Sequence, residues 1–272
     1  MNNIINLEKK SKWLRKVTFE MLASVKQGHP GSVLSQIEIL VSLYYGGVIR
    51  YEKNKPNSPD KDNIIISKGH SAMGLYPIFA DIGYFDEKEL NKFGTTEGFL
   101  RIFGNISIPG IDCTSGSLGH GLGVGSGFAF SYKYNKKKNR CFVIISEGEM
   151  YEGSTWESAL FSSHHNLDNL VVVLDRNRKI ILGDTEECIA LNSIADKWES
   201  FGFYVIEVNG HSIRDLLEAF NKIGNTNSKP LLIIANTVKG KGISFMENEA
   251  KWHYWHNLDE NELALAREEL SQ

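Results

Sequence analysis

The sequence contains few cysteines and no long apolar run. Its 272 residues include only Cys113, Cys141 and Cys188, which lie far apart and form no C-x-x-C pair. Because their number is odd, a disulfide framework is not expected, and a reducing compartment fits the sequence. No run approaches the roughly 18 apolar residues of a membrane span, and residues 1–12 are too polar for a signal peptide. We therefore expect a cytoplasmic protein that does not bind membranes.

An excess of charge of either sign is also absent. The sequence has 30 Lys and Arg against 33 Asp and Glu, a net charge of −3 at pH 7, which gives no reason to expect binding to nucleic acid. No arginine cluster or P-loop is present to neutralise a phosphorylated ligand. Hydrophobic content of 42% is ordinary for a globular protein. Since no repeat or linker interrupts the chain, we expect residues 1–272 to form a single domain.

The chain is organised around residues 143–183. Apolar runs at residues 143–145 and 170–174 flank a helical pattern at residues 154–165. Two short β-branched runs around one helix are typical of a βαβ unit whose strands are buried on both faces. We therefore predict an α/β fold: a doubly wound, mostly parallel sheet with helices on both faces.

The remaining pattern supplies further elements for this sheet. A short strand is predicted at residues 64–66, and buried strands are predicted at residues 203–208 and 231–235. Helices are predicted at residues 7–27, 35–45, 86–93, 121–127, 212–223 and 259–270. A further helix is expected to begin at residues 67–71.

Oxygen-bearing side chains follow the two central runs. Glu147 comes directly after the first run, and Asn177 lies just past the second. In open α/β sheets, ligands bind beyond the carboxyl ends of the strands, so both side chains should reach the same edge. Hard oxygen ligands suit Mg²⁺ or Ca²⁺. The sequence therefore predicts a divalent metal site at this edge.

The same residues resemble the thiamine diphosphate signature of transketolases. That signature has a G-D-G turn, an E-G pair shortly afterwards and an asparagine further on. This chain has Ser146-Glu147-Gly148, then Glu152-Gly153, then Asn177 at the end of HHNLDNLVVVLDRN. The resemblance covers nearly the whole chain, but only the amino-terminal half of a full-length transketolase. It implies the diphosphate-binding half of a thiamine diphosphate enzyme.

Three histidines lie in motifs that match this family. His29 is in G-H-P-G, His70 is in S-K-G-H, and His253 is in W-H. Taken alone, His29 could complete a cap between helix ends, and His70 could simply open a helix. The resemblance implies that all three are catalytic, that His29 also contacts substrate, and that His70 and His253 also contact the cofactor. We expect their pKa values to lie in the range useful for proton transfer.

The glycine-rich segment 116–123 is not a dinucleotide-binding loop. It lacks G-x-G-x-x-G spacing, and no apolar strand precedes it. Its match to the family's G-S-L-G motif implies instead that the backbone from Gly116 to Leu118 approaches the cofactor, which glycine permits. The resemblance implies further cofactor contacts from Gly148, Glu149, Asn177 and Ile181.

The resemblance also implies the metal ligands: the side chains of Glu147 and Asn177 and the backbone carbonyl of Lys179. A glutamate at position 147 replaces the usual aspartate and adds one methylene of reach. Since Mg²⁺ demands ligands at about 2.0–2.1 Å, this change makes Ca²⁺ and Mn²⁺ alternatives to Mg²⁺.

Other positions depart from the family pattern. Asn105 stands where related transketolases carry a histidine that reaches the substrate, and Tyr254 replaces the glycine after W-H. Residues 237–242 resemble a family loop, although on its own this segment predicts only a basic surface turn.

The resemblance implies one half of a two-chain transketolase that transfers a two-carbon ketol unit between sugar substrates and is inactive alone. A separate chain would carry the pyrimidine-binding domain, in an α₂β₂ assembly. The loss of histidine at Asn105 favours an alternative, a thiamine enzyme that takes its unit from pyruvate or another acyl donor. The combined departures at Glu147, Asn105 and Tyr254 leave a non-catalytic assembly subunit as a third hypothesis.

Overall fold

The computed structural model describes residues 2–272. Five parallel strands form one sheet in the order β1-β2-β3-β5-β4. The strands are β1 (Asn63–Ile66), β2 (Cys141–Ser146), β3 (Leu170–Arg176), β4 (Tyr204–Asn209) and β5 (Leu231–Asn236). The α-helices are α1 (Asn2–Val25), α2 (Pro30–Leu34), α3 (Ile37–Tyr44), α4 (Tyr76–Asp81), α5 (Gly121–Tyr134), α6 (Gly153–His164), α7 (Thr185–Cys188), α8 (Ile194–Ser200), α9 (Ile213–Phe220) and α10 (Glu260–Glu269).

Helices cover both faces of this sheet. Phe142 and Ile144 of β2 pack in one apolar cluster with α1, α3 and α9, whereas Val143 and Ile145 pack in a second with α5, α6 and α8. Because successive side chains of a strand point to opposite faces, a strand between two helical layers must be apolar throughout. The predicted α/β fold is confirmed.

The prediction of a buried strand at residues 203–208 is wrong for the strand itself. Phe203 is buried, but it precedes β4, whose residues are half-buried or exposed. β4 lies at the edge of the sheet and pairs only with β5. The opposite edge strand, β1, is fully buried because α5 and the 3₁₀ helix that follows β1 pack against it.

Two of the predicted helices are 3₁₀ helices. One follows β1 (Gly69–Leu75), and the other lies in the predicted segment 86–93 (Glu87–Lys92). The sequence pattern missed α8, although Ser193 caps it by accepting a hydrogen bond from Asp196 N at 3.3 Å. None of the helices within residues 2–272 is long and apolar enough to cross a membrane.

A third apolar cluster brings the end of the chain back to its beginning. Phe19 and Leu22 of α1 pack with Trp252 and Leu270. Trp255 N also donates a hydrogen bond to the Gly28 carbonyl at 2.9 Å. These contacts bring the segment that carries His253 beside the loop that carries His29.

Candidate active site

A cavity of about 370 Å³ opens at the carboxyl ends of the strands. Its lining includes residues that follow four different strands: Lys68 after β1, Gly148 after β2, Asn177 after β3 and Lys239 after β5. Open α/β sheets bind ligands at this edge. The fold therefore gathers polar groups that are distant in sequence around one chamber.

Three imidazole rings meet in this cavity. The ring centroids of His29 and His70 lie 5.0 Å apart, those of His70 and His253 5.2 Å, and those of His29 and His253 5.4 Å. The rings come from three separate segments of the chain. The structure thus brings together the three histidines that the sequence singled out.

Close backbone approach fixes the position of His29. A Cβ atom at Gly31 would lie 2.8 Å from the carbonyl oxygen of Trp252 and 3.0 Å from Cε of Lys239. The Gly31 carbonyl also accepts a hydrogen bond from Gly240 N at 2.9 Å. Only glycine leaves room for these neighbours, so the G-H-P-G loop is packed directly against the segments that carry Lys239 and His253.

All three histidines are neutral at pH 7. Burial lowers the pKa of His29 to about 4, and the positive charge of Lys239 contributes in the same direction. Burial followed by Lys239 lowers the pKa of His253 to about 3. Burial, and then the charge of Lys68, lower the pKa of His70 well below its usual value. The expected pKa values near neutrality are therefore wrong for this chain alone, because burial and the nearby lysines disfavour the imidazolium.

Two buried lysines form the floor of the cavity, and each side chain is 1% exposed. Lys68 Nζ donates a hydrogen bond to the Ser32 carbonyl at 2.8 Å. Lys239 Nζ lies 3.4 Å from Ser32 Oγ and 3.4 Å from His253 Nδ1. The prediction of a basic surface turn at residues 237–242 is wrong for Lys239. Although the sequence has no arginine cluster, the fold brings two lysine side chains together in this cavity.

Backbone hydrogen bonds on both sides hold Lys239 in place. Val238 N donates to His211 Nε2 at 2.8 Å, and Gly240 N bonds to Gly31. Burial lowers the pKa of Lys239 to about 8, and the charge of Lys68 contributes in the same direction. Two like charges near each other favour an anionic ligand between them.

Asp175 compensates only part of the positive charge of Lys68 and Lys239. Its carboxylate forms a buried ion pair with Lys68 and accepts hydrogen bonds from Ser35 Oγ at 2.5 Å and from Thr237 Oγ1. Burial alone would raise the pKa of Asp175, but Lys68 and the hydroxyl donors lower it below its usual value. One carboxylate between two lysines leaves the floor positively charged.

Glu147 and Asn177 lie at neighbouring strand ends, as the sequence predicts. Glu147 is 2% exposed and faces the loop after β3 rather than the cavity. Its Oε2 accepts a hydrogen bond from Arg178 N at 2.5 Å, and its Oε1 accepts one from Thr185 Oγ1 at 3.3 Å. Burial raises the pKa of Glu147 to about 7, against the opposing effects of Arg178 N and the Arg176 guanidinium.

The types of oxygen atom at this position suit a hard divalent ion, although Glu147 faces away from the cavity. Asn177 and Lys179 line the cavity, and Asn177 Oδ1 accepts a hydrogen bond from Lys179 N at 3.1 Å. One carboxylate, one amide oxygen and one carbonyl are ligands that Mg²⁺ and Ca²⁺ accept. Within residues 2–272, no group of three or more His, Cys, Asp and Glu side chains forms a metal site. An ion here would therefore need the side chain of Glu147 to turn and a ligand to supply further oxygens.

Four of the other predicted cofactor contacts line the cavity: Gly116, Leu118, Gly148 and Ile181. A Cβ atom at Gly69 would lie 2.7 Å from Gly116 N, so glycine at position 69 allows this loop to pack beside the His70 segment. The structure does not bring Glu149 to the cavity. Glu149 is fully buried behind the residues that line the cavity. Its Oε1 accepts hydrogen bonds from Gly119 N at 3.0 Å and from Ser67. It therefore anchors the glycine-rich loop.

The structure does not bring Asn105 to the cavity either. Asn105 Oδ1 accepts a hydrogen bond from Ser107 N at 2.9 Å in an exposed turn, and the residue lines a neighbouring depression, which Phe103 also lines. Phe103, two residues earlier, lines the cavity, with its ring centroid 6.0 Å from that of His29. Sequence reasoning missed Phe103 because this loop has no periodicity to fix its register.

Sequence comparisons identify relatives of the same architecture. The family profile described as transketolase, thiamine diphosphate binding domain, matches residues 8–272. The chain is 39% identical over 248 residues to one of the subunits of the apulose-4-phosphate transketolase of Phocaeicola vulgatus, covering 91% of this chain and 88% of that protein. It is 34% identical over 250 residues to the 6-deoxy-6-sulfo-D-fructose transketolase subunit SqwG of Clostridium sp. strain MSTE9, covering 92% and 90%.

Full-length transketolases match over part of their length. Human transketolase is 35% identical over 244 residues, covering 88% of this chain and 38% of that protein. The crystal structure of transketolase from Campylobacter jejuni superposes with a TM-score of 0.90 at 26% identity, covering 97% of this chain and 42% of that chain. The chain thus spans less than half of these proteins. It belongs to the transketolase family, as a thiamine diphosphate-binding domain of a transketolase-like transferase.

Proposed function

We propose that this chain is the diphosphate-binding subunit of a two-chain cytoplasmic transketolase that transfers a two-carbon ketol unit between sugar substrates. The cavity carries this proposal: three neutral histidines lie 5.0–5.4 Å apart beside a floor with two buried lysines. Residues 1–272 act as one domain. Two relatives whose lengths match this chain are named as transketolase subunits, which supports the division into two chains.

The floor of the cavity binds the anionic end of the cofactor. When bound, thiamine diphosphate supplies the electron sink that the transfer requires. Lys68 and Lys239 would neutralise its diphosphate, with the glycine-rich loop beside it. Glu147, Asn177 and the Lys179 carbonyl would hold the divalent ion, Mg²⁺ or alternatively Ca²⁺ or Mn²⁺. Hydrogen bonds and charge at the floor would fix the position of the cofactor.

The histidines act on the substrate. As neutral imidazoles, His29, His70 and His253 can each donate one hydrogen bond and accept another, so they can orient hydroxyl and carbonyl groups. The lysine charges that depress their pKa values are compensated when an anionic diphosphate binds. Burial, the larger cause of the low pKa values, persists when the cofactor binds, so the three imidazoles act chiefly as neutral hydrogen-bonding groups.

A second chain completes the site. Large apolar side chains remain exposed in the segment after β3, and the first of them lines the cavity: Ile181 at 49%, Leu182 at 81% and Ile189 at 65%. Contiguous exposed apolar surface marks interaction sites, and obligate interfaces bury roughly 2,000 Å² or more. A partner with a pyrimidine-binding domain covers this surface in an α₂β₂ assembly.

Turnover by the chain alone and with its partner tests the function. The chain is purified alone and after co-expression with a candidate partner, and both samples receive thiamine diphosphate, Mg²⁺, a ketose phosphate donor and an aldose phosphate acceptor. We expect two-carbon transfer from the co-expressed pair and none from the chain alone. Turnover by the isolated chain would refute the division of the site between two chains.

A further inference from the structure

A buried series of polar contacts connects α1 to the loop that carries Lys239. Arg15 Nη2 in α1 donates a hydrogen bond to Glu38 Oε1 in α3 at 2.5 Å, and both side chains are 9% exposed. The other carboxylate oxygen, Oε2, lies 2.9 Å from Nδ1 of His211, which follows β4. His211 Nε2 in turn accepts a hydrogen bond from Val238 N at 2.8 Å. The contacts thus end at the residue that precedes Lys239.

The hydrogen bond from Val238 fixes the tautomer of His211. A backbone N–H can only donate, so Nε2 accepts and carries no proton. The proton of the ring is then on Nδ1, which donates to Glu38 Oε2. Because Arg15 holds the other oxygen of the same carboxylate, a turn of the ring would leave a buried charged group with an unmade hydrogen bond. The orientation of His211 is therefore set by groups that lie outside the cavity.

Lys239 depends on its backbone for its position. The contacts of its Nζ with Ser32 Oγ and with His253 Nδ1 are both 3.4 Å long. Asp175, the carboxylate of the floor, forms its ion pair with Lys68 rather than with Lys239. The like charges of the two lysines repel each other. The contacts of the ammonium group alone therefore hold it weakly, and the loop backbone determines where it lies.

We propose that His211 is a positioning residue that holds Lys239 at the floor of the cavity, where Lys239 binds the anionic end of the cofactor. This inference rests on the proposed function and adds a residue to it. His211 does not line the cavity, so it acts through the backbone at Val238. On the other side of Lys239, Gly240 N donates a hydrogen bond to the Gly31 carbonyl at 2.9 Å. The two hydrogen bonds hold the loop on both sides of the lysine.

The loop after β4 and the loop after β5 pack directly against each other. A Cβ atom at Gly210 would lie 2.5 Å from Thr237 Cγ2, and Gly210 N donates a hydrogen bond to the Asn236 carbonyl at 2.8 Å. Only glycine at position 210 allows the two loops to lie this close. The His211 imidazole therefore meets Val238 N from a backbone that is itself held in place.

Two substitutions that differ by one methylene test the inference. In His211→Asn the amide takes the place of Nδ1 and can still donate to Glu38, but it is too short to reach Val238 N. The longer side chain of His211→Gln places an acceptor near the position of Nε2. Calorimetry measures the Kd of thiamine diphosphate for the co-expressed complex in the presence of Mg²⁺. We expect His211→Asn to raise this Kd roughly tenfold, a factor typical of one hydrogen bond, and His211→Gln to keep it within about threefold of wild type.

A double-mutant cycle with Lys239→Met separates positioning from a general structural role. If His211 acts through Lys239, His211→Asn should change the Kd less than about twofold in the Lys239→Met background, because the group that it positions is gone. A general loosening of the fold would instead weaken binding equally in both backgrounds. Urea denaturation confirms that each variant is folded. If His211→Asn does not fold, Gly210→Ala, which displaces the same loop, takes its place in the cycle.

The outcomes separate the inference from the proposed function. Equal weakening by His211→Asn in both backgrounds would overturn the inference, and so would a Kd that His211→Asn leaves unchanged in the wild-type background. Both results leave the proposed function intact. A wild-type complex that binds no thiamine diphosphate would overturn the proposed function, and the inference with it.

Discussion

Lys239 Nζ lies 3.4 Å from Nδ1 of His253. The lysine is almost completely buried, and its charge acts with burial to lower the pKa of His253 to about 3. A cation that faces a neutral imidazole in a low-dielectric chamber is poorly compensated. An anion that binds at Lys239 therefore changes both the charge of the floor and the proton affinity of the histidines.

Lys239→Met should weaken cofactor binding. Removing one charge-assisted contact to the diphosphate costs about 1.5–3 kcal/mol, so we expect the Kd for thiamine diphosphate to rise roughly 10- to 100-fold in calorimetry of the co-expressed complex. Lys241→Met is the matched control. Lys241 is partly exposed and pairs with Glu247 at 3.0 Å, so its loss should leave the Kd almost unchanged. Equal effects of the two substitutions would contradict the placement of Lys239.

Glu147 should make cofactor binding depend on a divalent ion. We expect Glu147→Ala to weaken thiamine diphosphate binding in the presence of Mg²⁺ by roughly tenfold or more, and EDTA to weaken binding to wild type in the same way. Glu147→Asp should tighten Mg²⁺ binding, because the shorter side chain reaches less far toward Arg178 N. Calorimetry with and without EDTA measures these effects. An affinity unchanged by both chelation and Glu147→Ala would exclude a metal role.

Asp175→Asn should destabilise the fold. The substitution leaves the Lys68 ammonium buried without its counter-ion, and breaking a buried pair in this way typically costs about 3–5 kcal/mol. The free energy of unfolding from urea denaturation measures the loss. Asp168→Asn is the control, since Lys133 and Asp168 are 40% and 41% exposed and exposed pairs contribute about 0–1 kcal/mol. Similar losses in both variants would show that the buried Lys68–Asp175 pair stabilises the fold no more than the exposed Lys133–Asp168 pair does.

The cofactor-free chain should lose stability as the pH falls below 6.5. His29 and His253 have folded-state pKa values of about 4 and 3, below the ordinary value of 6.5. Between pH 6.5 and 4 the unfolded chain therefore binds protons that the folded chain does not, and the free energy of unfolding falls. The substitution His29→Asn removes one buried imidazole whose pKa is lowered in the folded chain.

Urea denaturation of wild type and His29→Asn at pH 7 and pH 5 measures the difference. Buried carboxyls such as Glu147 titrate in both proteins, so their contribution cancels in the comparison. We expect the variant to lose less stability than wild type between the two pH values. Parallel losses would show that His29 keeps an ordinary pKa in the folded chain.

The sequence, through its resemblance to transketolases, indicated most of the residues that we propose for the site. His29, His70 and His253 lie in short motifs that match the family, and Glu147 and Asn177 lie just past two apolar runs. Parallel strands end at a common edge, so position after a strand predicts position in space. Burial on both faces likewise requires continuous apolar runs, which made the parallel sheet predictable.

Only tertiary contacts determine which residues form the floor and the mouth of the cavity. The sequence pattern predicts a surface position for Lys239, whereas hydrogen bonds from Gly240 N to Gly31 and from Val238 N to His211 fix its loop at the cavity. The choice between Phe103 and Asn105 depends on the path of a loop without regular structure. Side chains in such a loop have no period that assigns them to a face. Packing against residues distant in sequence therefore determined which of them lines the cavity.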